Sequence, residues 1–149
     1  QKSQLKKIYR EITRFAGRKY FARKVRLHEY SESYELNKDL KNYNINTLFT
    51  TDKKIGAHRL PTKNKNDLIE KGITIYKNQK FIRTDFRVED MAKNSISRNI
   101  NNINKILKKR KFLTIYSHEY ELKRNICRKN FVKNLNSILK FYKIRSNLP

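Results

Sequence analysis

The chain has 149 residues, enough for one domain or for a piece of a larger one, and 37% of them are hydrophobic, so a core can form. Its 37 Lys and Arg outnumber its 13 Asp and Glu, and the net charge of +24 predicts attraction to polyanions such as nucleic acid, anionic lipid or acidic glycan. The single cysteine excludes an internal disulfide and a multi-cysteine zinc site, and no apolar run approaches the roughly 18 residues of a membrane span.

The first half of the chain alternates predicted helices with predicted strands. Apolar residues at i, i+3 and i+4 spacing predict an amphipathic helix over residues 4–16, and a second helix is predicted over 32–43. Residues 24–28 form a short extended candidate. Residues 45–50 form a compact apolar strand that ends at Asp52. Alternation of this kind is typical of an α/β fold.

The second half continues the same alternation around a hairpin. The predicted elements are a loop over 53–65, a short helical turn over 66–71, a β-hairpin of 73–76 and 80–83, a polar segment over 84–89, a helix over 95–110, a strand over 112–116 and a helix over 128–142. Helical crossovers between strands predict a parallel sheet, in which the hairpin would be an insertion.

The strand over 112–116 is the most informative element, because it ends in Ser117, His118 and Glu119. Strand ends are where α/β folds carry their chemistry. Histidine is the natural general acid or base near neutral pH, and a neighbouring carboxylate can orient its ring. The alternative interpretation is a surface histidine beside a solvated glutamate.

Other residues have the chemistry of a site, and several of them lie at or near predicted strand ends. They are Arg14, Arg26, His28, Asp52, Asp85, Arg87 and Glu89. The three histidines are far apart in the sequence, so no metal site made wholly within the chain is predicted. With three glycines there is no glycine-rich phosphate loop, and the chain has no Gly-x-Ser-x-Gly elbow for a serine nucleophile.

Two basic runs, residues 105–111 and 123–129, flank the 112–116 strand. Tyr116 and Tyr120 lie between them and could stack on bases, which favours nucleic-acid binding. Solvated helix faces in a lysine-rich chain would have the same composition. No recognised nucleic-acid-binding signature accompanies the runs.

Five short motifs follow one another along the chain in an order that resembles that of a known protein family. They are ITRFAG at residues 12–17, VRLH at 25–28, NI followed by LFTTD within 44–52, TDFRVE at 84–89 and TIYSHEY at 114–120. Together they resemble the C-terminal half of bacterial polysaccharide deacetylase-like proteins, the NodB-homology or carbohydrate esterase group. The resemblance extends over most of the chain.

The resemblance implies a fold and a set of catalytic residues. The fold would be α/β, the C-terminal part of a distorted (β/α) barrel with a β-hairpin insertion. His118 matches the histidine that acts as general acid, with Glu119 where an aspartate is usual. Arg14 matches, in a motif without its proline, an arginine that orients the catalytic base, and Asp52 lies near a strand end where the family often carries an aspartate.

Four residues are expected to bind substrate as signatures of a subgroup: Arg26, His28, Asp85 and Arg87, with Glu89 beside them. The implied substrate is an acetylated glycan. The implied cofactor is a divalent metal of the zinc type, but the family's Asp-Asp and His-x-x-x-His motifs do not occur in this chain. The chain is therefore expected to be either the C-terminal half of a larger domain or a degenerate relative without activity.

Two other classes of function stay open. A small basic RNA-binding protein, for example one associated with ribosomes, would account for the net charge directly. A non-catalytic α/β interaction module is the third class. Either would leave the order of the motifs as coincidence.

Overall fold

The structure, a computed structural model, describes residues 2–26, 34–50, 60–118, 123 and 125–142. The chain divides into two compact units, Gln1–Arg83 and Thr84–Pro149. Unit 1 contains α1 (Lys2–Ala16), a 3-10 turn (Arg18–Tyr20), β1 (Lys24–Val25), α2 (Tyr34–Asn42), β2 (Thr47–Thr50), α3 (Thr62–Lys71), β3 (Ile73–Tyr76) and β4 (Gln79–Arg83). Unit 2 contains β5 (Phe86–Arg87), α4 (Val88–Lys93), α5 (Ile96–Leu107), β6 (Ile115–Tyr116) and α6 (Asn125–Tyr142).

The four helices predicted from long apolar periodicity are confirmed, with no end shifted by more than three residues. The end of α1 is set by Gly17, whose φ of 86° leaves the helical region while its N–H still donates to the carbonyl of Thr13. α5 begins where the side chain of Ser95 accepts a hydrogen bond from the N–H of Arg98. α3 differs from the prediction, because it begins at Thr62 inside the stretch predicted to be loop.

The sheet of unit 1 has the order β1-β2-β4-β3. β1 runs parallel to β2, β2 runs parallel to β4, and β3 is antiparallel to β4. The prediction of the hairpin itself is confirmed, but its description as an insertion is wrong. Because β4 is bonded to β2 along its length, the hairpin supplies a central strand and an edge strand of the sheet.

The core of unit 1 lies where this sheet meets its helices. The buried members are Leu40, Ile45, Leu48, Leu60, Leu68 and Phe81. From α1, Leu5 packs against this cluster, and the ring of Tyr9 contacts Phe21 edge-on at 4.8 Å. The rest of the apolar stripe of α1, namely Ile8, Ile12 and Phe15, is exposed.

Asn64 of α3 binds the edge strand of this sheet. Its side-chain amide donates to Thr74 Oγ1 at 2.8 Å and to the backbone carbonyl of Ile75 at 3.1 Å. β3 is the outermost strand in the described sheet, so this carbonyl faces away from β4. The side chain of Ile75 itself is exposed.

The β3–β4 turn has two residues, Lys77 and Asn78, with φ of 47° and 60°. Positive φ at both positions is the requirement of the type I′ turn that matches the twist of a hairpin. We expect Asn78→Val to lower the free energy of unfolding by about 1–2 kcal/mol, because a β-branched residue is strained in the left-handed region. Lys80→Val, at an exposed strand position of the same hairpin, is the control, and urea unfolding of both variants measures the difference. Equal effects of the two substitutions would contradict the turn assignment.

Unit 2 has a smaller sheet, in which β5 and β6 are parallel neighbours. Met91, Ile103 and Ile138 form its buried cluster, with Phe86 and Phe131 among the partly buried residues around them. Each helix of the unit contributes one of the three buried residues. Both units combine helices with parallel strands, so the α/β class is confirmed. No helix of the described ranges has the length and hydropathy needed to cross a membrane.

Candidate functional site

A cluster of polar side chains lies at the carboxyl ends of β5 and β6. The parallel register pairs Phe86 with Ile115 and Arg87 with Tyr116. Two residues beyond that last pair, the chain places Glu89 on one side and His118 on the other. Strand pairing therefore brings together two titratable groups that are 29 positions apart in the sequence.

Glu89 and His118 form a carboxylate–imidazole pair. Glu89 Oε1 lies 2.9 Å from His118 Nδ1 and accepts a hydrogen bond from the backbone N–H of His118 at 3.0 Å. The side chain of Glu89 is 9% exposed and that of His118 is 27% exposed. Glu89 Oε2 is buried and accepts no hydrogen bond from the part of the chain that the structure describes.

The surroundings of Glu89 favour its charged form. Burial raises the pKa of this carboxyl, but hydrogen bonds from its own backbone N–H and from the backbone and ring of His118 outweigh burial, so its pKa is lowered from the ordinary 4.5. An ionised carboxylate only accepts hydrogen bonds, so Nδ1 of His118 must be the donor. Nε2 is then the ring nitrogen that can exchange a proton with a bound molecule, as in other carboxylate–histidine pairs.

Arg87 and Tyr116 extend the cluster across the same two strands. Arg87 Nε donates to the Tyr116 hydroxyl at 2.6 Å, and the guanidinium carbon lies 5.8 Å from the centre of that ring. The Tyr116 ring meets the His118 ring edge-on, with centres 6.0 Å apart. A guanidinium, a phenol and an imidazole thus follow one another, which is a set of groups able to bind a polar substrate.

Asp85 occupies a buried position at the start of β5. It accepts a hydrogen bond from Arg110 at 2.5 Å, and the two side chains are 1% and 6% exposed, respectively. Its second oxygen accepts from the backbone N–H of Thr114 at 3.0 Å, while its own N–H donates to the Thr114 carbonyl. These contacts join β5 to the segment that leads into β6. The expected contact of Asp85 with substrate stays a prediction.

The other expected site residues either belong to unit 1 or lie outside the described residues. Arg14 is exposed on α1, where its guanidinium pairs with Glu11 at 2.8 Å. Arg26 is exposed just after β1. Asp52, His28 and Glu119 lie outside the described residues. Of the eight expected residues, His118 and Arg87 belong to the cluster in unit 2, and Asp85 lies just before β5 in the same unit.

The sequence interpretation paired His118 with its neighbour Glu119, which lies outside the described residues, and the structure shows Glu89 as a partner of His118. Glu89 had been included among the candidates without a role. One signal could have found the pair: if Arg87 and Tyr116 are register partners of parallel strands, residues 89 and 118 follow them at equal distance. Predicting that register from one sequence requires knowing which strands are neighbours.

The lowered pKa of Glu89 predicts a pH dependence of stability. A carboxyl whose folded-state pKa is below its unfolded value stabilises the fold above about pH 4.5, and this contribution is lost as the pH falls through the folded-state pKa. Glu89→Gln should therefore flatten the fall in unfolding free energy below that pH. Urea unfolding across the acid range measures it, with Glu11→Gln, at an exposed ion pair, as control. A slope unchanged by Glu89→Gln would contradict the assignment.

Among the residues that the structure describes, no group of three or more His, Cys, Asp or Glu side chains could hold a metal ion. The ligands of the zinc-type metal implied by the resemblance are expected outside this chain, so the cluster is described by its own proton-transfer groups, Glu89 and His118.

Comparison with known proteins identifies no relative of this chain. No protein-family model, no curated protein and no solved structure matches the chain.

Proposed function

We propose that this chain is the C-terminal part of a polysaccharide deacetylase-like hydrolase that removes acetyl groups from sugar polymers or glycoconjugates. The observation that carries the proposal is the hydrogen bond between Glu89 and His118 at the ends of two parallel strands. This hydrogen bond supports a general-acid role for His118, the residue to which the resemblance assigns that role. The ordered motifs of the sequence are its second support.

In this proposal His118 protonates the leaving group. When water adds to the acetyl carbonyl of an N-acetylated sugar, the carbon–nitrogen bond breaks and the nitrogen needs a proton to leave as an amine. The protonated ring of His118 donates that proton from Nε2, while Glu89 stabilises the positive charge through Nδ1. Acetate and a free amine are the products. For an O-acetylated sugar the leaving oxygen takes the proton instead.

The remaining groups would come from outside this chain. The residue that activates water, and the ligands of a divalent metal, belong in the proposal to a preceding half of the same domain. The two units would then be the last part of a distorted (β/α) barrel, since a whole barrel needs about eight strands and roughly 250 residues. Arg87 and Tyr116 would contact the sugar beside His118.

Reading the coding DNA upstream of Gln1 tests this proposal directly. We expect an open frame that encodes an Asp-Asp motif and a His-x-x-x-His motif, and we expect the protein made from it to release acetate from an N-acetylated chito-oligosaccharide or an O-acetylated polymer. A start codon at or just before Gln1 would contradict the proposal. So would a full-length protein that releases no acetate from either class of substrate.

A second candidate function, binding of RNA through the basic surface, is favoured by one observation. Lys105, Lys108, Lys109 and Lys111, at the end of α5 and just after it, are all exposed. Arg110 in the same run is buried against Asp85 and is not available to a polyanion. The net charge of +24 would strengthen attraction to RNA without sequence preference.

The RNA candidate predicts a steep dependence of affinity on salt. Between about 50 and 200 mM salt, the affinity for a generic single-stranded RNA should fall by a factor of about 10³, because bound phosphates release their counterions. Replacing Lys108 and Lys109 by alanine should weaken binding at low salt. Lys71→Ala is the control, since Asp67 already pairs with that amine. Salt-independent or weak binding at low salt would remove this candidate.

A further inference from the structure

Two buried asparagines hold the short helix that carries Glu89. α4 has six residues, so most of its backbone carbonyls have no partner within the helix. The carbonyl of Met91 accepts from Asn99 Nδ2 at 2.9 Å and from Asn134 Nδ2 at 2.7 Å. Asn134 also donates to the carbonyl of Asn94, just after the helix, at 3.2 Å. α5 and α6 thus bind the same end of α4 from two sides.

Both amides are buried, and each donates its Nδ2 group to the carbonyl of Met91, while Asn99 Oδ1 is buried and accepts no hydrogen bond from the described residues. Asn99 is 1% exposed and Asn134 is 7% exposed. A buried amide is unfavourable unless it is hydrogen-bonded, whereas a leucine of similar volume would fit an apolar cluster without that requirement. Two amides that donate to one carbonyl fix the position of that carbonyl more narrowly than apolar packing does.

Glu89 is two residues before Met91 on the same single turn of helix. A rotation or shift of α4 would move the carboxylate relative to His118, because the hydrogen bond of 2.9 Å between them has little tolerance. We propose that Asn99 and Asn134 are positioning residues that hold α4 so that Glu89 stays hydrogen-bonded to His118. The catalytic consequence of this inference rests on the proposed function, whereas its structural consequence does not.

The structural consequence is measured on the whole 149-residue chain by NMR. The Nδ1 proton of an imidazole bonded to a carboxylate gives a downfield signal, which His118→Ala assigns by removing it. We expect Asn99→Ala and Asn134→Ala to shift this signal upfield or abolish it while the chain stays folded. Asn101→Ala on α5 and Asn136→Ala on α6, both at exposed asparagines, are matched controls that should leave it unchanged.

The catalytic consequence is measured in the full-length protein by a double-mutant cycle. Asn134→Ala should lower kcat about tenfold with little change in KM, as expected when a supporting residue is lost. In a Glu89→Gln background the same substitution should have no further effect, because the residue acts through Glu89. Equal effects in both backgrounds would show a merely structural role and overturn the inference.

One further variant keeps the inference testable if Asn134→Ala does not fold. Asn134→Leu keeps the branched shape of the side chain and removes the donor, so it gives the same readouts if the alanine variant does not fold. A folded variant with an unchanged Nδ1 signal overturns the inference. Absence of acetate release by the unsubstituted protein would refute the proposed function, and the NMR signal would still decide whether the asparagines position Glu89.

Discussion

His118→Ala in the full-length protein is expected to lower kcat for acetate release by a factor of about 10² or more. Without the imidazole no positioned group protonates the leaving nitrogen, which must then take its proton from water. Because Glu89 keeps the hydrogen bond from the backbone N–H of residue 118, alanine should leave the chain folded. Steady-state kinetics with circular dichroism of the same sample measures both. Unchanged turnover would remove His118 from the mechanism.

Glu89→Gln separates the role of the carboxylate from that of the ring. Glutamine keeps the length of the side chain but cannot stabilise a positive imidazolium, so a fall in kcat smaller than that of His118→Ala is expected. Combined with His118→Ala it should cause no further loss, because the two groups act as one unit. Glu11→Gln on α1 is the matched control. A Glu89→Gln protein with full activity would leave the pair without a catalytic role.

Asp85→Ala is expected to have the largest effect on stability, about 3–5 kcal/mol. Asp85 and Arg110 are 1% and 6% exposed, so removing the carboxylate takes a buried ion-pair partner away from a buried guanidinium. The same substitution removes the acceptor for the backbone N–H of Thr114. The segments that lead into β5 and β6 would lose this hydrogen bond between them. Unit 2 should therefore unfold at a lower urea concentration than in the unsubstituted chain.

Two variants show whether the effect comes from burial of the charge. Asp67→Ala also removes the partner of a lysine in an ion pair, but that lysine, Lys71, is exposed, so little change is expected. Replacing Asp85 by leucine together with Arg110 by methionine should recover much of the stability, because both buried charges of the pair are then replaced by apolar side chains. If Asp85→Ala unfolds at the same urea concentration as the unsubstituted chain, the buried pair is not formed.

Local patterns in the sequence predicted most of the elements. The apolar periodicity behind α1, α2, α5 and α6, and the alternation behind the β3–β4 hairpin, depend on residues close together in the chain. β6 was predicted from a run of five apolar and β-branched residues, but only Ile115 and Tyr116 pair with β5. How much of a strand is paired depends on its neighbour, which the run itself does not contain.

The candidate site was predicted only in part, because its contacts are not local. His118 was recognised from its place after a strand, but its partner Glu89 lies across a crossover that contains α4 and α5. Arg110 is a similar case. In the sequence it belongs to a basic run and predicts a solvated face, whereas in the structure it is the buried partner of Asp85.

The hydrogen bonds of Asn64 have a consequence for how this protein behaves at high concentration. An edge strand with free carbonyls and an exposed isoleucine is a template on which strands of other copies can add. Asn64 occupies the carbonyl of Ile75, and its own side chain stands over that stretch of β3. Another copy would have to displace this amide before it could pair there. A single asparagine of α3 thus opposes the addition of a further strand at one position of the outer edge of the sheet.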